Sequence, residues 1–306
     1  MSGVKKIADA VVHRIGQVLI GKEEPIRLAL ACLFARGHLL IEDLPGMGKT
    51  TLARALAGVL GLEYTRIQFT SDLLPADIVG VSVYDRNNGG FEFHPGPLFS
   101  QVVLADEINR TTPKTQSALL EAMAEGQVSV EGETRALPSP FFVIATQNPV
   151  SQSGTFPLPE SQLDRFLMRI SLGYPDPAAE RELLAGVDPR VRLSRMKACM
   201  DQKLLCQIQQ KVTEVQASDS VVDYLQELVQ QTRSMPDIEH GISPRGSMAL
   251  LQCARACALM DGRRYVIPED IQTCFIPVCN HRLRGTASEQ EVVSLLRQVL
   301  DTVDIL

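Results

Sequence analysis

The stretch Asp43-Leu44-Pro45-Gly46-Met47-Gly48-Lys49-Thr50-Thr51 sets two glycines, a lysine and a hydroxyl at spacings suited to an anion. Glycine lets the backbone curl so that its N–H groups face a phosphate, and a helix starting at the loop's end adds its own positive pole. Lys49 then reaches β- and γ-phosphates, and the Thr50 hydroxyl is a ligand for Mg2+. The first glycine of the usual G-x-x-x-x-G-K-[ST] spacing is Asp43 here. Taken alone, the loop also reads as a glycine turn with no ligand.

A second segment narrows the choice. Val102-Val103-Leu104-Ala105-Asp106-Glu107 is an apolar run ending in two acids. If it forms a buried parallel strand, both carboxylates emerge at the C-terminal edge of the sheet, where α/β folds bind ligands. Asp106 then holds Mg2+ through its water shell, and Glu107 is placed to polarise an attacking water as general base. A solvated acidic turn is the alternative. Phe141-Phe142-Val143-Ile144-Ala145-Thr146-Gln147-Asn148-Pro149 is another apolar run ending in amides, and Asn148 is positioned to orient that water, or else to cap a turn.

The elements that must carry these residues follow from hydrophobic period. Val4, Ile7, Ala8, Val11, Val12, Ile15 and Leu19 recur at helical spacing, predicting a first helix that ends near Gly21. A second helix is expected over Pro25–Arg36 and a third over Thr50–Leu60. Five short strands are expected at His38–Ile41, Tyr64–Phe69, Gln101–Ala105, Phe141–Ala145 and Arg169–Leu172, alternating with helical or irregular stretches. That rhythm predicts an α/β fold with a mostly parallel sheet covered by helices. After Tyr174-Pro175-Asp176-Pro177 the strand signal ends, and segments such as Val221–Thr232 and Pro244–Met260 are helical in period. The division is therefore expected at this proline-rich step, giving an α/β unit over 1–175 and a helical unit over 176–306.

Composition removes several classes. With 306 residues and 45% hydrophobic content the chain has material for a sizeable core. A net charge of −6, with basic residues scattered, disfavours a nucleic-acid partner. No apolar stretch approaches a membrane span, and Asp9, His13 and Arg14 interrupt the N-terminal apolar run, so a cytoplasmic location is expected. The seven cysteines include no Cys-x-x-Cys, and the five histidines form no metal-ligand pair on a helix.

These motifs together resemble the AAA+ ATPases, and among them the MoxR family, which lies in the helix-2-insert branch with the magnesium-chelatase ATPase subunits. The resemblance rests on Glu42–Thr51, Ala105-Asp106-Glu107-Ile108-Asn109-Arg110, Ala145–Pro149, the run from Phe156 to Phe166 and Ser243-Pro244-Arg245. It implies an AAA+ P-loop core with a five-stranded parallel sheet and an all-helical lid, with ATP and Mg2+ held between them and at a subunit boundary. It also implies that Arg165 is an arginine finger pointing into a neighbouring subunit, with Arg169, one helical turn on, as the second candidate. Arg245 matches a lid arginine that senses the γ-phosphate of its own subunit. Arg110 reads either as a group reaching a neighbour or as a surface ion pair.

Two insertions, Asp77–Leu98 with its turn at Asn87-Asn88-Gly89-Gly90 and the hairpin Gly126–Arg135, are similar to those that face a ring's pore or a partner. The resemblance further implies a homo-hexameric ring that remodels or matures a protein partner, often one with a von Willebrand A-type domain. A metal-chelatase ATPase subunit, a DNA-dependent motor and a nucleotide-binding scaffold without turnover are the competing readings.

Overall fold

The computed structural model describes residues 2–86, 89–148, 155–186, 188–283 and 289–305. The chain opens with helices α1 (Ser2–Gly16) and α2 (Glu23–Phe34), then enters strand β1 (Leu39–Glu42) and helix α3 (Lys49–Leu60). The first helix stops at Gly16, short of the predicted Gly21. The apolar period persists through the buried Val18 and Leu19, but these lie in a turn that closes at Gly21, whose φ of 72° favours glycine.

Strand β2 (Tyr64–Gln68) leads into a short helix α4 (Pro75–Val79) and a hairpin of β3 (Gly80–Asp85) and β4 (Gly90–Pro95). Strand β5 (Val102–Asp106), helix α5 (Pro113–Glu125), a second hairpin of β6 (Gln127–Val130) and β7 (Glu133–Ala136), and strand β8 (Phe142–Gln147) follow. A one-turn helix α6 (Glu160–Leu163) and strand β9 (Met168–Ile170) end the sheet-forming part. Beyond β9 the described residues are helical apart from one isolated bridge between Gln216 and Tyr265. The helices are α7 (Pro177–Ala185), α8 (Pro189–Ser194), α9 (Gln202–Thr213), α10 (Asp219–Ser234), α11 (Pro244–Met260), α12 (Pro268–Cys279) and α13 (Glu289–Thr302).

The main sheet has five parallel strands in the order β2-β5-β8-β1-β9. Every residue of β1, β5 and β8 is buried, as expected where helices cover both faces of a parallel sheet. Alternate side chains feed two cores. Leu39, Ile41, Val102, Leu104 and Ile144 join α1, α2, α3 and the C-terminal helices on one face. Leu40, Val103, Ala105, Val143 and Ala145 join Leu119, Leu120 and Met123 of α5 on the other. The strand order decides the site: β8 lies between β1 and β5, so the end of β8 is set between the ends of the other two.

The C-terminal helices begin with strong stop-and-start signals. Asp176, Asp201, Ser218 and Ser243 each accept a backbone N–H of the following turn, and Pro244 occupies the first turn of α11. The Ser243-Pro244-Arg245 motif is therefore a helix start, with Arg245 projecting from its first turn. Helices α9 and α11 pack on α1 and α2, so one apolar core runs from the N-terminal helices into the C-terminal ones.

Candidate functional site

The loop between β1 and α3 is shaped by Gly46 and Gly48, at φ of 86° and 95°, where side chains other than glycine are strained. A Cβ on Gly48 would also stand 2.8 Å from Leu19 Cδ2. Gly48 caps α3 without any side-chain hydrogen bond, leaving the helix's first N–H groups to face the loop. Lys49 is buried beneath it and donates to the Asp43 carbonyl (2.6 Å) and to Asn148 Oδ1 (3.2 Å). Burial pushes the Lys49 pKa down, and the carboxylates of Asp43, Asp106, Glu107 and Glu42 oppose that push.

At the ends of β5 and β8, Asn148 joins the lysine to the acids. Its Oδ1 accepts from Lys49 while its Nδ2 donates to Glu107 Oε1 at 2.9 Å, and it is almost wholly buried. Glu107 takes the left-handed conformation (φ 58°, ψ 49°), an uncommon state for a non-glycine residue that turns its side chain back toward Asn148. Thr146 ties the two acids together: its hydroxyl donates to Asp106 Oδ1 (2.6 Å) and accepts from the Glu107 N–H (2.9 Å). Gln68 donates to Glu107 Oε2 at 3.0 Å, and Arg110 Nε lies 3.4 Å from the same oxygen, an ion pair within this chain.

This set suits a triphosphate and its metal. The cradle has no side chains at Gly46 and Gly48, it offers backbone donors and a cation, and the side chains of Thr50 and Asp106 carry oxygens of the hard kind that Mg2+ selects. Among the described residues no group of three or more His, Cys, Asp or Glu side chains could hold a metal by itself. Of the other predicted nucleotide-binding residues, Leu44, Pro45 and Met47 lie in the same loop and Thr51 in the first turn of α3. Asp43 differs from them: its carboxylate turns away from the cradle and accepts from Leu172 N, Gly173 N and Ser171 Oγ.

Arg165 and Arg245 form a second group. Arg245 Nη1 lies 3.7 Å from Asp164 Oδ2, and Arg165 donates to the Leu120 carbonyl at 2.8 Å. Three residues beyond Asp164, the Leu167 N–H bonds the His38 carbonyl, at the end of β1 opposite the phosphate loop. Arg245, expected from the resemblance at its own subunit's γ-phosphate, thus pairs beside the segment that carries Arg165. Arg169 lies on a strand, not a helical turn past Arg165, and its guanidinium is enclosed by Glu42 Oε2 (3.0 Å) and Asn280 within this chain.

Four participants carried no sequence motif. Arg66 Nε and Nη2 both donate to Asp106 Oδ2 (3.0 and 2.6 Å), and Gln68, two residues on along β2, reaches Glu107. Their alternation on the strand next to β5 is the one signal that could have pointed to them. Thr146 lies in the apolar run that ends at Asn148, where its residue type alone suggests no role. Arg282, only 3% exposed, donates to Asp164 Oδ1 (2.8 Å) and to the carbonyls of Phe166, Leu167 and Val278.

Both predicted insertions are hairpins, and they touch: the Arg135 guanidinium lies 4.1 Å from the ring centre of Phe93. Phe91 and Tyr84 project from the first as an exposed edge-to-face pair. Asn87 and Asn88 of its turn, like Pro149, lie outside the described residues. Among the described residues no helix is long and apolar enough to cross a membrane.

Known proteins resemble the chain along nearly its whole length. Residues 38–168 match the family described as "ATPase family associated with various cellular activities (AAA)", and residues 230–299 match the AAA lid domain. The chain is 38% identical to "Chaperone MoxR1" of Mycobacterium tuberculosis, over 96% of this chain and 81% of that one. It is 30% identical to magnesium-chelatase subunit ChlI-2 of Arabidopsis thaliana, over 74% of this chain and 52% of the other. A crystal structure from Cytophaga hutchinsonii superposes with a TM-score of 0.86 at 36% identity, covering 99% of this chain and 96% of that one.

Proposed function

Because the chain belongs to the MoxR family of AAA+ ATPases, we propose that its chaperone-type ATP hydrolysis runs at the junction of Gly48-Lys49-Thr50 with Asp106-Glu107 and drives the remodelling of a protein partner. The observation that carries this reading is the continuous path Lys49–Asn148–Glu107, 3.2 and 2.9 Å long, at the C-terminal edge of the sheet. A phosphate-binding amine and a carboxylate base are thereby held at fixed separation by one buried amide.

In this proposal the loop N–H groups and Lys49 bind the β- and γ-phosphates, and Thr50 and Asp106 hold Mg2+. When bound, that ion neutralises charge building on the phosphates. Glu107 takes a proton from the attacking water, and Asn148 fixes the carboxylate's orientation while its own amide is held by Lys49. Arg165 contributes positive charge to the site of a neighbouring copy in a ring, for which a hexamer is the expected form. Arg245, paired with Asp164, either joins Arg165 at that boundary or must leave Asp164 to reach its own nucleotide. Residues 1–175 act as the nucleotide-binding core and 176–306 as the lid. The partner class is a protein, with a von Willebrand A-type domain as the leading candidate, and a cytoplasmic location fits the seven unpaired thiols.

Two measurements test this. Glu107→Gln keeps the side chain's size and one acceptor oxygen for Asn148 Nδ2, giving up the Gln68 bond, so it should bind ATP at close to wild-type affinity while turnover falls by roughly a hundredfold or more. Undiminished phosphate release by that variant removes the assignment of the base. Arg165→Ala should lose hydrolysis yet retain ATP, and mixing it with a Lys49→Ala chain should recover activity at shared boundaries. If assembled mixed rings show no recovery, Arg165 does not act between subunits.

A further inference from the structure

We propose that Asp43, which stands where phosphate loops ordinarily have their first glycine, is a positioning residue that fastens the loop to the segment 171–174 and is not a phosphate ligand. This rests on the reading of Lys49 as the phosphate-binding cation. The carboxylate oxygen Oδ2 accepts from Leu172 N at 2.6 Å, Gly173 N at 2.8 Å and Ser171 Oγ at 3.1 Å, while Oδ1 accepts from Leu44 N at 3.1 Å. Two successive backbone N–H groups converge on one anionic oxygen, an arrangement helped by the left-handed Gly173 at φ 61°. Hydrogen bonds to an ionised acceptor are among the strong ones.

The same segment is gripped from its other side. Lys22, buried to 7% exposure in the α1–α2 connection, donates Nζ to the carbonyls of Gly173 (3.0 Å) and Tyr174 (2.7 Å). Residues 171–174 are the passage from β9 to α7, the point at which the chain leaves the sheet for the C-terminal helices. A carboxylate fixes their N–H groups and an ammonium fixes their carbonyls, so both halves of this backbone are held by charged side chains.

Asp43 also holds the other end of the linkage. Its main-chain carbonyl accepts from Lys49 Nζ at 2.6 Å. When Lys49 redistributes its three donors among that carbonyl, Asn148 and a phosphate, the change is felt at a residue whose side chain is bonded to the exit of the sheet. The backbone of Asp43 is not in the left-handed region, so the position does not require glycine. A carboxylate aimed into the cradle would repel phosphate, whereas facing 171–173 it is satisfied.

The test uses the full-length chain and three readouts: amide hydrogen exchange of residues 170–175 without nucleotide, equilibrium binding of ATP, and steady-state hydrolysis. Asp43→Gly should speed exchange at Leu172 and Gly173 by roughly ten- to a hundredfold. It should leave ATP affinity little changed and lower kcat by about tenfold, since loss of positioning shows in turnover before it shows in binding. Asp43→Asn, whose amide oxygen still accepts, should recover protection and turnover in part, and it carries the comparison if the glycine variant fails to fold. Lys22→Met, acting on the opposite side, should lower kcat with ATP affinity unchanged. Exchange at Leu172 and Gly173 that stays at the wild-type rate in both Asp43 variants overturns the proposal. So does a loss of ATP affinity in Asp43→Gly as large as that in Lys49→Ala. Failure of the underlying reading is distinguishable, because Lys49→Ala would then bind ATP as well as wild type.

Discussion

The Arg66 guanidinium is bonded twice to one carboxylate oxygen of Asp106, at 3.0 and 2.6 Å, while Thr146 takes the other oxygen at 2.6 Å. Both oxygens of the acid proposed to hold Mg2+ are thus engaged by the protein itself. Arg66 is half-exposed and Asp106 is not, so the arginine is the partner free to withdraw. A cation must displace this guanidinium or reach the carboxylate through water.

Arg66→Gln should therefore lower the Mg2+ concentration needed for half-maximal hydrolysis. A paired hydrogen bond to an ionised group is worth roughly 1.5–3 kcal/mol, and discounted for the exposure of Arg66 this leaves about a three- to tenfold shift. The measurement is a Mg2+ titration of ATPase activity at saturating ATP. An unchanged or raised Mg2+ requirement would mean that Arg66 does not compete at Asp106.

How far such relationships were legible in the sequence depends on which residues carry the signal. The meeting of the Lys49 loop with Asp106-Glu107 was readable because each follows an apolar run that forms a buried strand of the same sheet. Strands β1, β5 and β8 were readable because burial on both faces makes them continuously apolar. Strand β2 is only one-fifth fully buried, with the pattern half-buried, half-buried, exposed, buried, exposed, so Arg66 and Gln68 looked like solvated polar residues. Their role comes from β2 pairing with β5, a contact between strands 34 or more residues apart that no local pattern encodes. Asp43 was read with the rest of its loop as nucleotide-binding, and no local pattern shows where its carboxylate goes. Its side chain is claimed by a segment some 130 residues away, and only tertiary structure could reveal that.

Burial of His38 gives the protein an acid-sensitive stability. Its Nδ1 accepts from the Val143 N–H at 3.0 Å, so Nε2 carries the proton shared with the Met123 carbonyl at 3.1 Å, and the ring is held neutral. Desolvation lowers its pKa from 6.5 to about 4, only partly offset by the Met123 hydrogen bond. Above pH 6.5 neither the native nor the unfolded ring is protonated, and the stability is fully present. As pH falls from 6.5 toward 4 the unfolded ring binds a proton that the native ring refuses, and stability is lost, by about 2 kcal/mol at pH 5. His281, also pushed down by burial, adds loss in the same direction. Urea unfolding at pH 7 and pH 5 should show this decline, and His38→Gln should reduce it, leaving the part that His281 contributes. A wild-type midpoint that does not move between those pH values contradicts the assignment.

The joint between the C-terminal helices and the core depends on Arg282. Its guanidinium, 3% exposed, carries charge-assisted bonds to the Asp164 carboxylate and to the main-chain carbonyls of Asp164, Phe166, Leu167 and Val278. Arg282→Met fills the volume but removes one donor from each of those carbonyls, of which Phe166 keeps His281 Nε2, and leaves Asp164 with the more distant Arg245. Breaking one side of a buried ion pair costs roughly 3–5 kcal/mol, and the half-buried state of Asp164 points to the lower end, about 3 kcal/mol. Arg282→Lys keeps the charge but cannot span five acceptors from one ammonium, so it should recover less than half of that loss. Chemical denaturation of the three proteins measures both quantities. Should the methionine variant unfold at the wild-type midpoint, the joint is held by apolar packing of α11 and α12, and the arginine network contributes nothing to it.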